Sequence, residues 1–105
     1  MSEKVIGADS AEVSCVAITV AKPGYEDRVR QALENLIEPV HKERGVIQYE
    51  MYRDPNDNRR FVFIERWENM DDFNAHCVAP HIEDYLKLTN GWLEHSAFYA
   101  LKKVK

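Results

Sequence analysis

Long apolar runs are missing from this chain. No stretch approaches the ~20 consecutive apolar residues that span a bilayer. Residues 1–12 have no apolar centre, so they are not expected to act as a secretion signal. A basic surplus is missing too: 14 Lys and Arg stand against 18 Asp and Glu, a net charge of −4, the reverse of a nucleic-acid-binding footprint. Only two cysteines occur, Cys15 and Cys77, and they fit no Cys-x-x-Cys spacing for metal or redox work. Reduced, buried thiols in a cytoplasm are expected of them. The four glycines, at 7, 24, 45 and 91, are isolated, which excludes a dinucleotide fingerprint and a phosphate loop. A Gly-x-Ser-x-Gly elbow, a His-Glu-x-x-His pair and internal repeats are also absent. These absences point to a cytoplasmic protein with no nucleic-acid partner, no membrane partner and no motif for a bound cofactor.

What is present fits one domain over residues 13–105, preceded by a polar arm over residues 1–12. A chain of this size buries roughly 60–70% of its unfolded surface, so its core is small and a partner subunit would help. Val13–Val20 is rich in β-branched residues and stops at the turn signal Lys22-Pro23-Gly24. Val29, Ala32, Leu33, Leu36, Ile37 and Val40 then recur at helical spacing as one apolar stripe. Pro39 should kink or tighten the last turns, and Gly45 stops the helix. Val46–Arg53 and Phe61–Trp67 read as an antiparallel hairpin, with a mobile tip over Asp54–Asn58. Asn69 is a candidate N-cap for a helix over Met70–Val78. Pro80 interrupts it, Ile82–Thr89 forms a further helical segment, and Ser96–Val104 closes the chain as a strand.

The order β-α-β-β-α-β is the ferredoxin-like arrangement, an α+β fold with an antiparallel sheet. Phe61, Phe63 and Trp67 lie on one face of the third strand, Val62 and Ile64 on the other. An antiparallel sheet with helices on one side should have one wet face. A strand apolar on both faces therefore suggests that a second copy of the chain covers the open face, as a homodimer.

Chemistry-bearing residues concentrate in one place. Glu65, Trp67, His76 and His81 fall within 17 residues, across a strand and the helix after it. That is a credible lining for a small-molecule pocket. His41 and His95 belong to no such constellation and are expected at the surface. Tyr49 and Tyr52 alternate on one strand, so at most one of them reaches a pocket. His76 and His81 stand five apart with Pro80 between them. With Glu65 they match the residue types of a two-His-one-carboxylate iron site but not its spacing, so no metal site is expected. Cys77 adjoins His76, but helix neighbours point apart, which makes a thiol–imidazole pair unlikely to form.

The Gly45-x-x-x-Tyr49 segment, the Glu65-x-Trp67 strand end, Ala75-His76 and the Pro80-His81 step together resemble the antibiotic biosynthesis monooxygenase family, over about residues 13–104. The string looks closest to the small bacterial quinol monooxygenases of that family. The resemblance implies a ferredoxin-like fold that pairs through its sheets into a dimeric α+β barrel, with a pocket between sheet and helices in each protomer. It also implies oxygenation of quinols or polycyclic aromatics, often without metal, flavin or haem. A related branch degrades haem with a pair of residues that would align with His76 and Leu86, a departure that argues against haem chemistry here.

Oxygenation without a cofactor needs an apolar slot for a flat ring, a base for a phenolic proton, and little water. His76 or His81 suits the base, Trp67, Phe63 and Tyr49 the slot walls. Glu65 would orient a histidine through a hydrogen bond to His76, a contact that would also pin strand to helix. The leading expectation is a cofactor-independent monooxygenase for a small quinol or phenolic aromatic and dioxygen. One alternative is an isomerase or tautomerase of a small, phosphorylated or plain, carbonyl compound, with Arg53 and Arg66 the nearest cations. The other is a non-catalytic dimeric binding module for a small ligand.

Overall fold

The computed structural model describes residues 11–105. The polar arm expected over residues 1–12 therefore lies almost wholly outside the described residues. Its last member, Glu12, accepts hydrogen bonds from Arg66 Nε at 2.6 Å and Nη2 at 3.3 Å.

The elements are β1 (Val13–Ala21), α1 (Glu26–His41), β2 (Val46–Arg53), β3 (Arg60–Trp67), α2 (Met70–Cys77), α3 (Pro80–Leu88) and β4 (Leu93–Leu101). The four strands form one antiparallel sheet in the order β2-β3-β1-β4. This is the ferredoxin-like order, with the second helical connection divided in two at Pro80. Pro80 starts α3 at its first turn rather than merely ending α2, because a missing N–H costs nothing where no intrahelical partner exists.

The apolar stripe of α1 packs on the sheet: Val29, Ala32, Leu33, Leu36 and Val40 are all buried. Pro39 sits inside the helix, and the final turn tightens there, with Lys42 N–H donating to Pro39 O and Glu43 N–H to Val40 O. Asn69 caps α2 as expected, its side chain accepting from Asp72 N–H at 2.8 Å. The β2–β3 tip is tied down rather than loose. Asp54 accepts from Asn56 N–H and from Arg60 Nη1, each at 2.8 Å, and Asp57 accepts from Arg59 N–H at 3.0 Å.

The last strand begins and ends three residues earlier than the apolar pattern suggests. Its register with β1 runs from Leu93, opposite Ala21, to Leu101, opposite Ser14. The pairing stops one residue short of the start of β1 at Val13, and Val104 is left 99% exposed.

The pleat sorts side chains into rows across the helix-covered face. Tyr49, Glu65, Cys15 and Ala100 form one row; Met51, Phe63, Ala17 and Phe98 the next; Arg53, Phe61, Thr19 and Ser96 a third. An irregularity between Val46 and Gln48 sets this register in β2, as a bulge does by inserting one residue. The opposite face carries Val16, Ile18, Val62 and Ile64 in the central strands. Tyr52, Ile64, Tyr99 and Leu101 there are 38–55% exposed.

Candidate active site

Glu65 projects from β3 into the helix-covered layer and is buried. Its Oε1 accepts from Trp67 Nε1 at 3.0 Å. Burial pushes its carboxyl above the ordinary range, opposed by the Trp67 hydrogen bond and by nearby His76. His76 comes down from α2 to meet it, with Nε2 3.8 Å from Glu65 Oε1. That distance is too long for the direct hydrogen bond expected between them. The imidazole lies against Trp67, ring centres 4.5 Å apart, and makes a T-shaped contact with Tyr49 at 5.6 Å between ring centres.

The close partner of His76 is a residue that sequence reasoning passed over. Glu43, in the connection between α1 and β2, holds both carboxylate oxygens 3.1 Å from His76 Nδ1. The same carboxylate takes His81 Nε2 at 2.5 Å. A carboxylate only accepts, so Nδ1 of His76 and Nε2 of His81 are the donors. In the neutral imidazole this makes Nε2 of His76, on the Glu65 side, the accepting nitrogen. In sequence Glu43 looks like one charge in a solvated Lys42-Glu43-Arg44 turn. The one signal was its closeness to Gly45. That glycine has φ +82°, and a Cβ there would stand 2.1 Å from Asp72 Oδ2. The chain thus passes hard against α2 and delivers Glu43 to the histidines.

A cavity of about 180 Å³ opens between the sheet and the helices. Glu65 and His76 line one part of it; Tyr49, Phe63, Phe73 and Phe98 supply aromatic walls. Tyr49 stacks on Phe63 with ring centres 4.5 Å apart, and burial keeps its phenol above the ordinary range. Leu86 and Phe98, 53% and 59% exposed, mark the mouth between α3 and β4. Trp67 is fully buried and stands one layer behind, under His76, outside the lining. His81 is also outside the lining, half-buried on the far side of Glu43.

Cys15 and Cys77 both reach the cavity. Burial pushes the Cys15 thiol up to about 12 and raises that of Cys77, so neither supplies a ready thiolate nucleophile. Arg53 lies over the Phe61 ring and Arg66 pairs with Glu12; among the described residues no Lys or Arg lines the cavity. No group of three His, Cys, Asp or Glu side chains among them is placed to hold a metal ion. No helix among them is long and apolar enough to cross a membrane.

Sheet order and helix placement define a ferredoxin-like α+β protein, with a histidine–carboxylate cluster beside a cavity under the helices. The family follows from comparison: the model of the antibiotic biosynthesis monooxygenase family matches residues 14–88, and the chain belongs to that family. An uncharacterised protein of Synechocystis sp., sll1783, is 28% identical over 104 residues, covering 99% of this chain and 70% of that protein. The crystal structure of PA3566 from Pseudomonas aeruginosa superposes with a TM-score of 0.86 at 23% identity, over 92% of this chain and 98% of that one. A crystal structure of an antibiotic biosynthesis monooxygenase superposes with a TM-score of 0.82 at 24% identity, over 89% and 99%. At such identities these structural likenesses show the fold alone.

Proposed function

We propose that the chain is a cofactor-independent monooxygenase acting on a single-ring quinol or phenol with dioxygen. The observation that carries this is the His76 arrangement: Nδ1 is held by Glu43 while the other edge faces Glu65 beside an aromatic-walled cavity. A cavity of about 150 Å³ suffices for benzene, so about 180 Å³ suits one ring with small substituents.

In this reading Nε2 of His76 takes the phenolic proton, and Glu43 stabilises the imidazolium so formed. Glu65 is the next station for that proton. The phenolate gives one electron to dioxygen, and the resulting radical pair combines at the ring carbon. Cleavage of the O–O bond with a returned proton then releases water. For a hydroquinone the balance is quinol plus dioxygen to hydroxyquinone plus water. Tyr49, Phe63 and Phe73 hold the ring and keep solvent out. Trp67 acts through the other residues, orienting Glu65 by its indole N–H and supporting the His76 ring. His81 fixes Glu43.

The alternative of proton transfer on a phosphorylated carbonyl compound loses support, because no Lys or Arg among the described residues lines the cavity. The exposed face of Val16, Ile18, Val62, Ile64 and Tyr99 is the surface on which a second copy would pair, in keeping with the family resemblance.

The test is oxygen uptake with a panel of single-ring hydroquinones. Uptake above the autoxidation rate, falling roughly 10²–10⁴-fold in His76→Ala and little in Cys77→Ala, is expected. Uptake at the autoxidation rate throughout the panel would overturn the assignment.

A further inference from the structure

The cavity opens between two large apolar side chains that the proton chemistry does not use. Leu86 on α3 is 53% exposed and Phe98 on β4 is 59% exposed, and both line the cavity. A single apolar residue at a surface needs no explanation. Two at one mouth, continuous with aromatic walls, make a patch that a ligand gains by covering. Phe98 shares the helix-covered row of Ala17 and Phe63, and its exposure comes from the edge position of β4. Its neighbour Tyr99 points to the opposite face, where the second copy is placed, so that pairing would not cover Phe98.

Ring contacts tie this mouth to His76. Phe73 lies 6.3 Å from His76 and 6.1 Å from Phe98 between ring centres. One benzene ring therefore bridges the imidazole and the mouth. A substrate ring alongside Phe73, with its phenolic oxygen at His76, turns its far edge toward Phe98. Charge along the way has one sign. Among the described residues Glu65 is the one Asp or Glu in the lining, and no Lys or Arg joins it. A carboxylate on the far edge of the ring would thus meet no counter-charge, which selects against it. Ser96, also on β4, is exposed to water and needs no ligand atom.

We propose that Leu86 and Phe98 are specificity-determining residues that select a ring with a short alkyl group on its far edge, meta or para to the oxygen at His76. The substrate class is then alkylated phenols and quinols rather than bare or carboxylated ones. This rests on the reading of the cavity as the substrate site.

The test is calorimetric binding under nitrogen, so that turnover does not intervene. The probes are phenol, 4-methylphenol, 4-ethylphenol, 4-propylphenol and 4-hydroxybenzoate. Affinity should rise about 2- to 4-fold with each added carbon, the upper value being that of a fully buried methylene. 4-Hydroxybenzoate should bind more weakly than 4-methylphenol. Leu86→Ala and Phe98→Ala should each flatten the series and leave phenol itself nearly unchanged. Both side chains are more than half exposed, so both variants should melt close to wild type. Equal affinity along the series, a gradient unchanged in both variants, or 4-hydroxybenzoate bound as tightly as 4-methylphenol overturns the selection while the cavity reading stands. Binding of none of the five probes sinks both.

Discussion

Replacing Glu43 by Ala should cost more stability than any charge in an ordinary loop. The carboxylate accepts from His76, whose side chain is 8% exposed, and from His81, at 26%. Hydrogen bonds involving a charged group contribute about 1.5–3 kcal/mol each. They share one acceptor and are not additive, so the loss should be about 2–4 kcal/mol. Unfolding entropies near 2.1 cal/mol/K per residue convert this into a fall in melting temperature of about 9–18 °C for a chain of this length. The assay is thermal and urea denaturation at pH 7, with His76→Ala, His81→Ala and both double variants completing two cycles. Coupling should be larger for Glu43–His76, the more buried pair. Glu43→Gln, which keeps the shape but presents an amide N–H to one imidazole, should be intermediate in stability and still lose most oxygen uptake. A fall below about 3 °C in Glu43→Ala, or no coupling in either cycle, would refute the view that Glu43 organises the histidines.

Burial raises the Glu65 carboxyl, so the folded state binds its proton more readily than the unfolded chain; its favourable contribution is complete below the ordinary carboxylate range and lost as pH rises through the raised value. Glu65→Gln, which still accepts from Trp67, should therefore raise the melting temperature at pH 7 but not at pH 4, while lowering activity; an equal gain at both would contradict the cause given. Gly45→Ala meets both a positive φ and the Asp72 carboxylate, whereas Gly24→Ala, at φ +87°, meets nothing within 4 Å. Urea titrations should show about 1 kcal/mol lost at Gly24 and clearly more at Gly45, and equal losses would deny the close passage against α2. Ile64→Lys, on the open sheet face and already 38% exposed, should leave the protomer folded but shift sedimentation from dimer to monomer; a wild-type protein that sediments as a monomer would remove the second copy from that face.

Local pattern carried much of the fold because local forces decide it. The stripe from Val29 to Val40, the Asn69 cap and the alternation of Tyr49 and Tyr52 each describe one element, and each element forms as its own residues dictate. The exceptions needed a neighbour. β4 takes its bounds from its register with β1, and Pro80 starts a helix because the chain turns there. The site divides the same way. Glu65 and His76 were legible as an inward carboxylate on a strand and an imidazole on the following helix. Their relation was not, because Trp67 occupies Glu65 and Glu43 occupies His76.

By itself, then, the sequence determined the ferredoxin-like order of elements, the buried stripe of the first helix, the family, and the stretch where chemistry gathers. Periodicity and capping are short-range, and a family pattern is a property of the string. Only the tertiary structure decided that Glu43, 33 residues from His76, is that histidine's partner. It also decided that Trp67 lies behind the cavity, outside its lining. Those facts depend on distances between elements, which are set by packing and register and leave no mark on any one segment.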